Sequence, residues 1–145
     1  MQESSKFCER LSRLMIEENL SADKLGKIIN VGGSTIRQWR AGTRNPTLSN
    51  AILLANNFKC SIDFLAGRID YDGEYIPKPT LPFYERLKYI LDEHGVTWYR
   101  VAKDTKTSLS SLHTWHKGSQ PLLHTVVELA KYLDISIDYL IGREN

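Results

Sequence analysis

Along this chain apolar side chains recur three and four positions apart, the spacing of a single helical face. Phe7, Leu11, Leu14 and Met15 mark a first helix, and Leu25, Ile28 and Ile29 a short second one. Ile36 and Trp39 belong to a third helix of about two turns. An apolar stretch after Thr47 and through Phe58 makes a fourth, and Ile62, Phe64 and Leu65 a last. The punctuation agrees with this division. Ser21, Thr47 and Ser61 stand where a side-chain oxygen can cap the first free amides of a helix; Gly32 sits where the third helix begins and Gly42 just past its end. No alternating strand pattern competes anywhere.

The same pattern then returns. Phe7-Cys8-Glu9-Arg10-Leu11 is repeated as Phe83-Tyr84-Glu85-Arg86-Leu87, and Ser61-Ile62-Asp63-Phe64-Leu65-Ala66-Gly67-Arg68 as Ser136-Ile137-Asp138-Tyr139-Leu140-Ile141-Gly142-Arg143. Trp39, Gly42 and Pro46 match Trp115, Gly118 and Pro121. With one deletion after the glycine, about a third of positions are identical over roughly 60 residues per copy. Leu87, Ile90 and Leu91 face one way in the second copy's first helix, Val101 and Ala102 lie in its second, and Thr97, Ser108 and Ser136 are its caps. Segment 69–82 carries Gly73, Pro77, Pro79 and Pro82 and no helical period, so it is expected to be a linker. The expectation is an all-α chain of two tandem five-helix domains, 1–68 and 83–145.

Composition narrows the function classes. With 41% hydrophobic and 25% charged residues the chain can build folded cores. No apolar run is long enough to span a bilayer, and the start of the sequence lacks the basic and apolar parts of a signal peptide. A membrane or secreted location is therefore not expected. Cys8 and Cys60 lie far apart in apolar helical stretches, where a thiol packs as a small hydrophobe. The overall charge of +2 is unremarked until it is divided: residues 5–68 hold ten Lys or Arg against five acids, and residues 83–143 eight against seven. The first copy is thus markedly basic and the second nearly neutral.

Two short helices joined by a tight turn, on a basic domain, are the parts of a helix-turn-helix DNA reader. The order Leu20-Ser21 … Leu25-Gly26 … Ser34-Thr35-Ile36 … Trp39 … Gly42 … Pro46 … Cys60-Ser61-Ile62-Asp63-Phe64-Leu65 resembles the phage repressor and Cro (XRE) helix-turn-helix family, and both copies carry it. The resemblance implies a double-stranded DNA-binding transcriptional regulator, in the cytoplasm of a bacterium or encoded by a phage and associated with the nucleoid. It implies no cofactor and no catalytic or metal site. In such proteins the third helix meets base edges in the major groove.

By that resemblance Gly33, Ser34, Arg37 and Gln38 are the base readers. Gln suits adenine and Arg guanine, while Gly33 leaves one reading position blank or lets the backbone approach closely. Ser21, Lys24, Thr35, Arg40 and the loop Thr43-Arg44-Asn45 are the expected phosphate contacts. The weaker counterparts in the second copy are Ser108, Leu109, Ser110, His113, Thr114 and Lys117, with Ser119-Gln120 an uncharged remnant of the loop. The family's glutamine at the start of helix two is Ala22 here and Trp98 in the second copy. Its buried Arg on helix one and Glu on helix three are Met15 and Arg40, and Leu91 and His116. Losing both partners of such a pair avoids the cost of one uncompensated buried charge. Arg40 is then available to a phosphate.

Blander readings stand beside these. Trp39 and Trp115 fit a core; Trp98 fits either an exposed contact or packing against the linker. His113, His116 and His124 lack a metal-site spacing, and Ser110 beside His113 has no orienting acid. A tandem chain can supply two readers to half-sites about 34 Å apart, since a 14-residue linker reaches about 50 Å when extended. Two alternatives are a second copy that dimerises the chain or binds another protein, and a whole chain that acts as an antitoxin-like or phage-regulation adaptor without DNA.

Overall fold

In the computed structural model, which describes residues 3–71, 75 and 78–144, every regular element among those residues is a helix. The chain divides into two compact units, Met1–Ile76 and Pro77–Asn145. Unit 1 holds α1 (Glu3–Glu17), α2 (Ala22–Ile29), α3 (Gly33–Ala41), α4 (Leu48–Phe58) and α5 (Ile62–Leu65). Unit 2 repeats the order with α6 (Phe83–His94), α7 (Trp98–Asp104), α8 (Leu109–His116), α9 (Leu123–Leu133) and α10 (Ile137–Ile141).

The helix starts are where the polar caps place them. Ser21, Thr47 and Ser61 each accept from the amide three residues on, as do Thr97, Ser108 and Ser136 in unit 2. Gly32 starts α3 without a side-chain cap, and Gly42 ends it in the left-handed conformation at φ 79. That conformation strains any residue with a Cβ. In unit 2 the C-cap of α8 is Lys117, and Gly118 takes the positive φ one residue later.

Phe7, Leu11, Leu14, Met15, Leu25, Ile29, Ile36, Trp39, Leu54 and Leu65 form the core of unit 1, and Leu87, Ile90, Val101, Leu112, Trp115, Val126 and Leu140 that of unit 2. Ile28, part of the apolar pattern of α2, is instead 56% exposed. Trp39 and Trp115 are core residues, the latter edge-on to Phe83 at 5.3 Å.

Each unit also takes charge out of solvent, through Arg10 and Asp63 in unit 1 and through Asp138 and Arg143 in unit 2, with Arg86 half-buried. Arg10 on α1 donates from Nη1 to the Phe64 carbonyl at 2.6 Å and to that of Ile69 at 3.3 Å, its guanidinium lying 3.9 Å from the Phe64 ring centroid. Arg86 on α6 likewise donates to the carbonyls of Tyr139 and Leu140. First and last helices are thereby tied through carbonyls at the end of the last helix, where Phe64 and Tyr139 accept the arginine beside the amides of Gly67 and Gly142. Within the closing motif Asp63 pairs with Arg68 at 2.8 Å and Asp138 with Arg143 at 2.6 Å. The second pair is fully buried, whereas Arg68 is partly exposed. Removing one partner of a buried pair leaves the other charge uncompensated, at a cost of about 3–5 kcal/mol. Asp138→Ala is therefore expected to destabilise unit 2 by that amount and Asp63→Ala to cost unit 1 clearly less, as read by urea unfolding of each variant. Equal losses would contradict the burial difference.

Candidate nucleic-acid interface

The turn between α2 and α3 sets which face of α3 is exposed. Asn30 closes α2 in the left-handed conformation at φ 60, and its amide donates to the Gly26 carbonyl. A Cβ on Gly26 would lie 2.3 Å from the Val31 carbonyl oxygen, so only glycine permits this close turn. Unit 2 has Ala102 at that place and builds its turn differently. There α7 ends at Asp104 with Thr105 extended, and the Thr105 hydroxyl donates to the Val101 carbonyl and accepts from the Thr107 amide.

Ile36 and Trp39 anchor α3 in the core, which turns Ser34, Arg37 and Gln38 outward. Gly33, Thr35 and Arg40 are half-buried, and Arg40 has no acidic partner among the described residues. Ser21, Lys24, Thr43 and Arg44 are exposed, Asn45 half-buried. Three contacts join this set. Arg37 Nη1 lies 3.3 Å from Asp23 Oδ1 on α2, Arg44 Nη1 donates to Gln38 Oε1 at 3.4 Å, and the Thr43 hydroxyl donates to the Gln38 carbonyl at 3.3 Å. The structure thus brings Arg37, Gln38, Thr43 and Arg44 together around the outer face of α3. Ser34 and Thr35 share its first turn, while Lys24 and Arg40 flank it without a direct contact. Asp23 did not figure among the sequence-derived site residues; its signal was an acid alone on an otherwise basic second helix.

In unit 2 Leu112 and Trp115 anchor α8, so that Ser110, His113 and Thr114 are exposed, as are Ser108, Leu109 and Lys117. The polar contacts differ throughout. Ser108 accepts from the Ser111 amide and donates to the Ser111 hydroxyl, and Thr114 donates to the Ser111 carbonyl. Trp98, expected to make an exposed contact or to pack against the linker, is half-buried. It stacks on Tyr84 at 5.1 Å, and the same Tyr84 stacks on His116 at 4.2 Å. His116 is thus held by a ring, and among the described residues no group of three His, Cys, Asp or Glu side chains is arranged to hold a metal ion.

The counterpart of Lys24 in unit 2 is Arg100, and its charge is internally matched. Its Nε lies 2.9 Å from Asp104 Oδ2, which also accepts from the Tyr132 hydroxyl at 2.7 Å. The Tyr132 hydrogen bond, with help from Arg100, holds the Asp104 carboxyl below its usual range, and the same bond pushes the Tyr132 hydroxyl up. A depressed carboxyl contributes stability above its unfolded value, near 4, and loses it as pH falls through the folded one. The raised hydroxyl loses its share as pH rises past about 10. Tyr132→Phe is therefore expected to lower the thermal midpoint slightly at pH 7 and to match the parent near pH 2. A difference independent of pH would locate the effect in packing.

Comparison with known proteins agrees with this geometry. The Helix-turn-helix family matches residues 11–65, and the Cro/C1-type HTH DNA-binding domain matches residues 86–145. A relative named "Uncharacterized HTH-type transcriptional regulator YobD", from Bacillus subtilis (strain 168), is 23% identical over 92 residues, 63% of this chain and 77% of that protein. No solved structure matches the chain. Among the described residues no helix is long and apolar enough to cross a membrane. With one family match on each folded unit and the same helix order in both, the chain belongs to the XRE-like, Cro/C1-type helix-turn-helix proteins and carries two tandem copies of the domain.

Proposed function

We propose that this protein is a sequence-specific regulator of transcription, a repressor, that places α3 of unit 1 in the major groove of double-stranded DNA. The observation that carries the reading is the outer face of α3, where Arg37 and Gln38 stand exposed beside Thr43 and Arg44 on the basic half of the chain. Gln38 offers adenine a donor and an acceptor, Arg37 offers guanine a fork of donors, and Ser34 reaches either. Ser21, Lys24, Thr35, Arg40, Arg44 and Asn45 surround that face as phosphate contacts, which fix register without reading sequence. A relative named as a transcriptional regulator supports the regulatory role.

Selection of bound fragments from a random duplex pool tests this at about 150 mM salt. The full-length protein should enrich one motif. Gln38→Ala should flatten a single adenine position at a cost of about 1–3 kcal/mol. Arg40→Ala should weaken all sequences alike and reduce the salt slope by about 1. No enrichment, or an Arg40 variant with unchanged salt dependence, would contradict these roles.

A specific observation favours a different role for unit 2. Leu109 and Tyr99 are 51% and 67% exposed at the places of Gly33 and Asp23, beside a matched Arg100 and a shortened loop. That face suits a protein surface, from a second copy of this chain or another partner, better than a phosphate backbone. Leu109→Asp should then lower the solution mass or partner binding while the selected DNA motif stays the same. A changed motif with unchanged mass would make unit 2 a second reader.

A further inference from the structure

We infer that Asp23 is a positioning residue for sequence readout: its carboxylate holds the Arg37 guanidinium over the start of α3, across the space that Gly33 leaves open, so that Arg37 reads guanine rather than a phosphate. This rests on unit 1 reading DNA through α3. Arg37 Nη1 and Asp23 Oδ1 are 3.3 Å apart, and both side chains are largely exposed. A Cβ on Gly33 would lie 2.0 Å from Asp23 Oδ1 and 3.4 Å from Arg37 Nη1. The ion pair therefore occupies the volume that any side chain at position 33 would fill. Gly33 is not an empty reading position but the floor of the pair.

Stability does not explain the arrangement, because exposed ion pairs contribute little. Affinity does not explain it either. An acid on α2 beside the reading helix repels phosphates and weakens binding to every sequence. Specificity does explain it. A free arginine on four rotatable bonds reaches phosphates on either side as readily as a base, whereas one engaged by a carboxylate keeps its remaining N–H donors for the two acceptors of guanine. Unit 2 supplies an internal comparison, since the three positions there are Tyr99, Leu109 and His113, and no member of the set survives alone. Unit 2 has neither the pair nor the space.

The experiment is selection from a random duplex pool with the full-length protein and with Asp23→Asn, Gly33→Ala, Arg37→Ala and the Asp23→Asn/Arg37→Ala double variant. Guanine-to-adenine discrimination is then measured by titration at the position that Arg37→Ala flattens. Asp23→Asn should lower that discrimination about fivefold or more, leave the other positions unchanged and strengthen binding to unrelated duplex. Gly33→Ala should flatten the same position. Its thermal midpoint should stay the same or rise, because alanine favours a helix over glycine. That combination is one a merely structural role would not give. In the double variant the position should match Arg37→Ala alone. Wild-type discrimination in both Asp23→Asn and Gly33→Ala, or a motif indifferent to Arg37→Ala, overturns the inference while leaving the DNA-binding reading intact. Absence of any motif for the parent protein overturns both, and that outcome is seen in the parent alone.

Discussion

In each unit an arginine from the first helix ends on backbone carbonyls of the last. Arg10 does so at Phe64 and reaches on to Ile69 just beyond that helix, and Arg86 does so at Tyr139 and Leu140. A guanidinium drawn out of water must find acceptors, and a backbone carbonyl has a second lone pair to offer beside the amide it already accepts from, as at Phe64 with Gly67 and at Tyr139 with Gly142. The five helices are thereby held as a closed set, in which α3 packs against α1 and α8 against α6. The orientation of the third helix in each unit is inherited from that closure. In the second copy Gly142, at φ 86, also lets the chain pass beside Arg86, since a Cβ there would lie 3.1 Å from Arg86 Nε.

On this shared frame the two outer faces have diverged in chemistry. Unit 1 keeps a glycine turn, exposed Arg37 and Gln38, and a charged loop after the helix. Unit 2 has Leu109 at the helix start, a shorter loop without Arg44, and a Trp98–Tyr84–His116 stack where unit 1 has Ala22, Cys8 and Arg40. Even its retained cation is matched, because Asp104 and Tyr132 engage the position where Arg100 replaces Lys24. A fold sustained by caps, core and an arginine held on backbone carbonyls thus places no demand on the outer residues of its third helix.

Much of this was legible in the sequence because it is local. Ser21, Thr47, Ser61 and their repeats cap helices through contacts three residues away, and the spacing of Ile36 and Trp39 fixes which face of α3 is buried. Long-range polar partners were not legible. Arg10 and Arg86 could be seen as repeated residues, but carbonyls more than fifty positions distant leave no trace in a local pattern. The same holds for Trp98, whose partner Tyr84 lies on another helix, and for Ile28, whose apolar spacing did not place it in the core. Gly33 was legible as a blank position or a close approach of the backbone but not as a neighbour of Asp23, since that carboxylate belongs to α2.

The central claim is that one of two copies of the fold carries the DNA-reading face. Titrating isotope-labelled full-length protein with duplex DNA while following each backbone amide tests it most directly. The account predicts that the large, salt-sensitive shifts fall on residues 21–24 and 33–45 and that residues 98–120 stay near their free positions. Equal shifts on α8 and its flanks would contradict it, and shifts confined to unit 2 would reverse it.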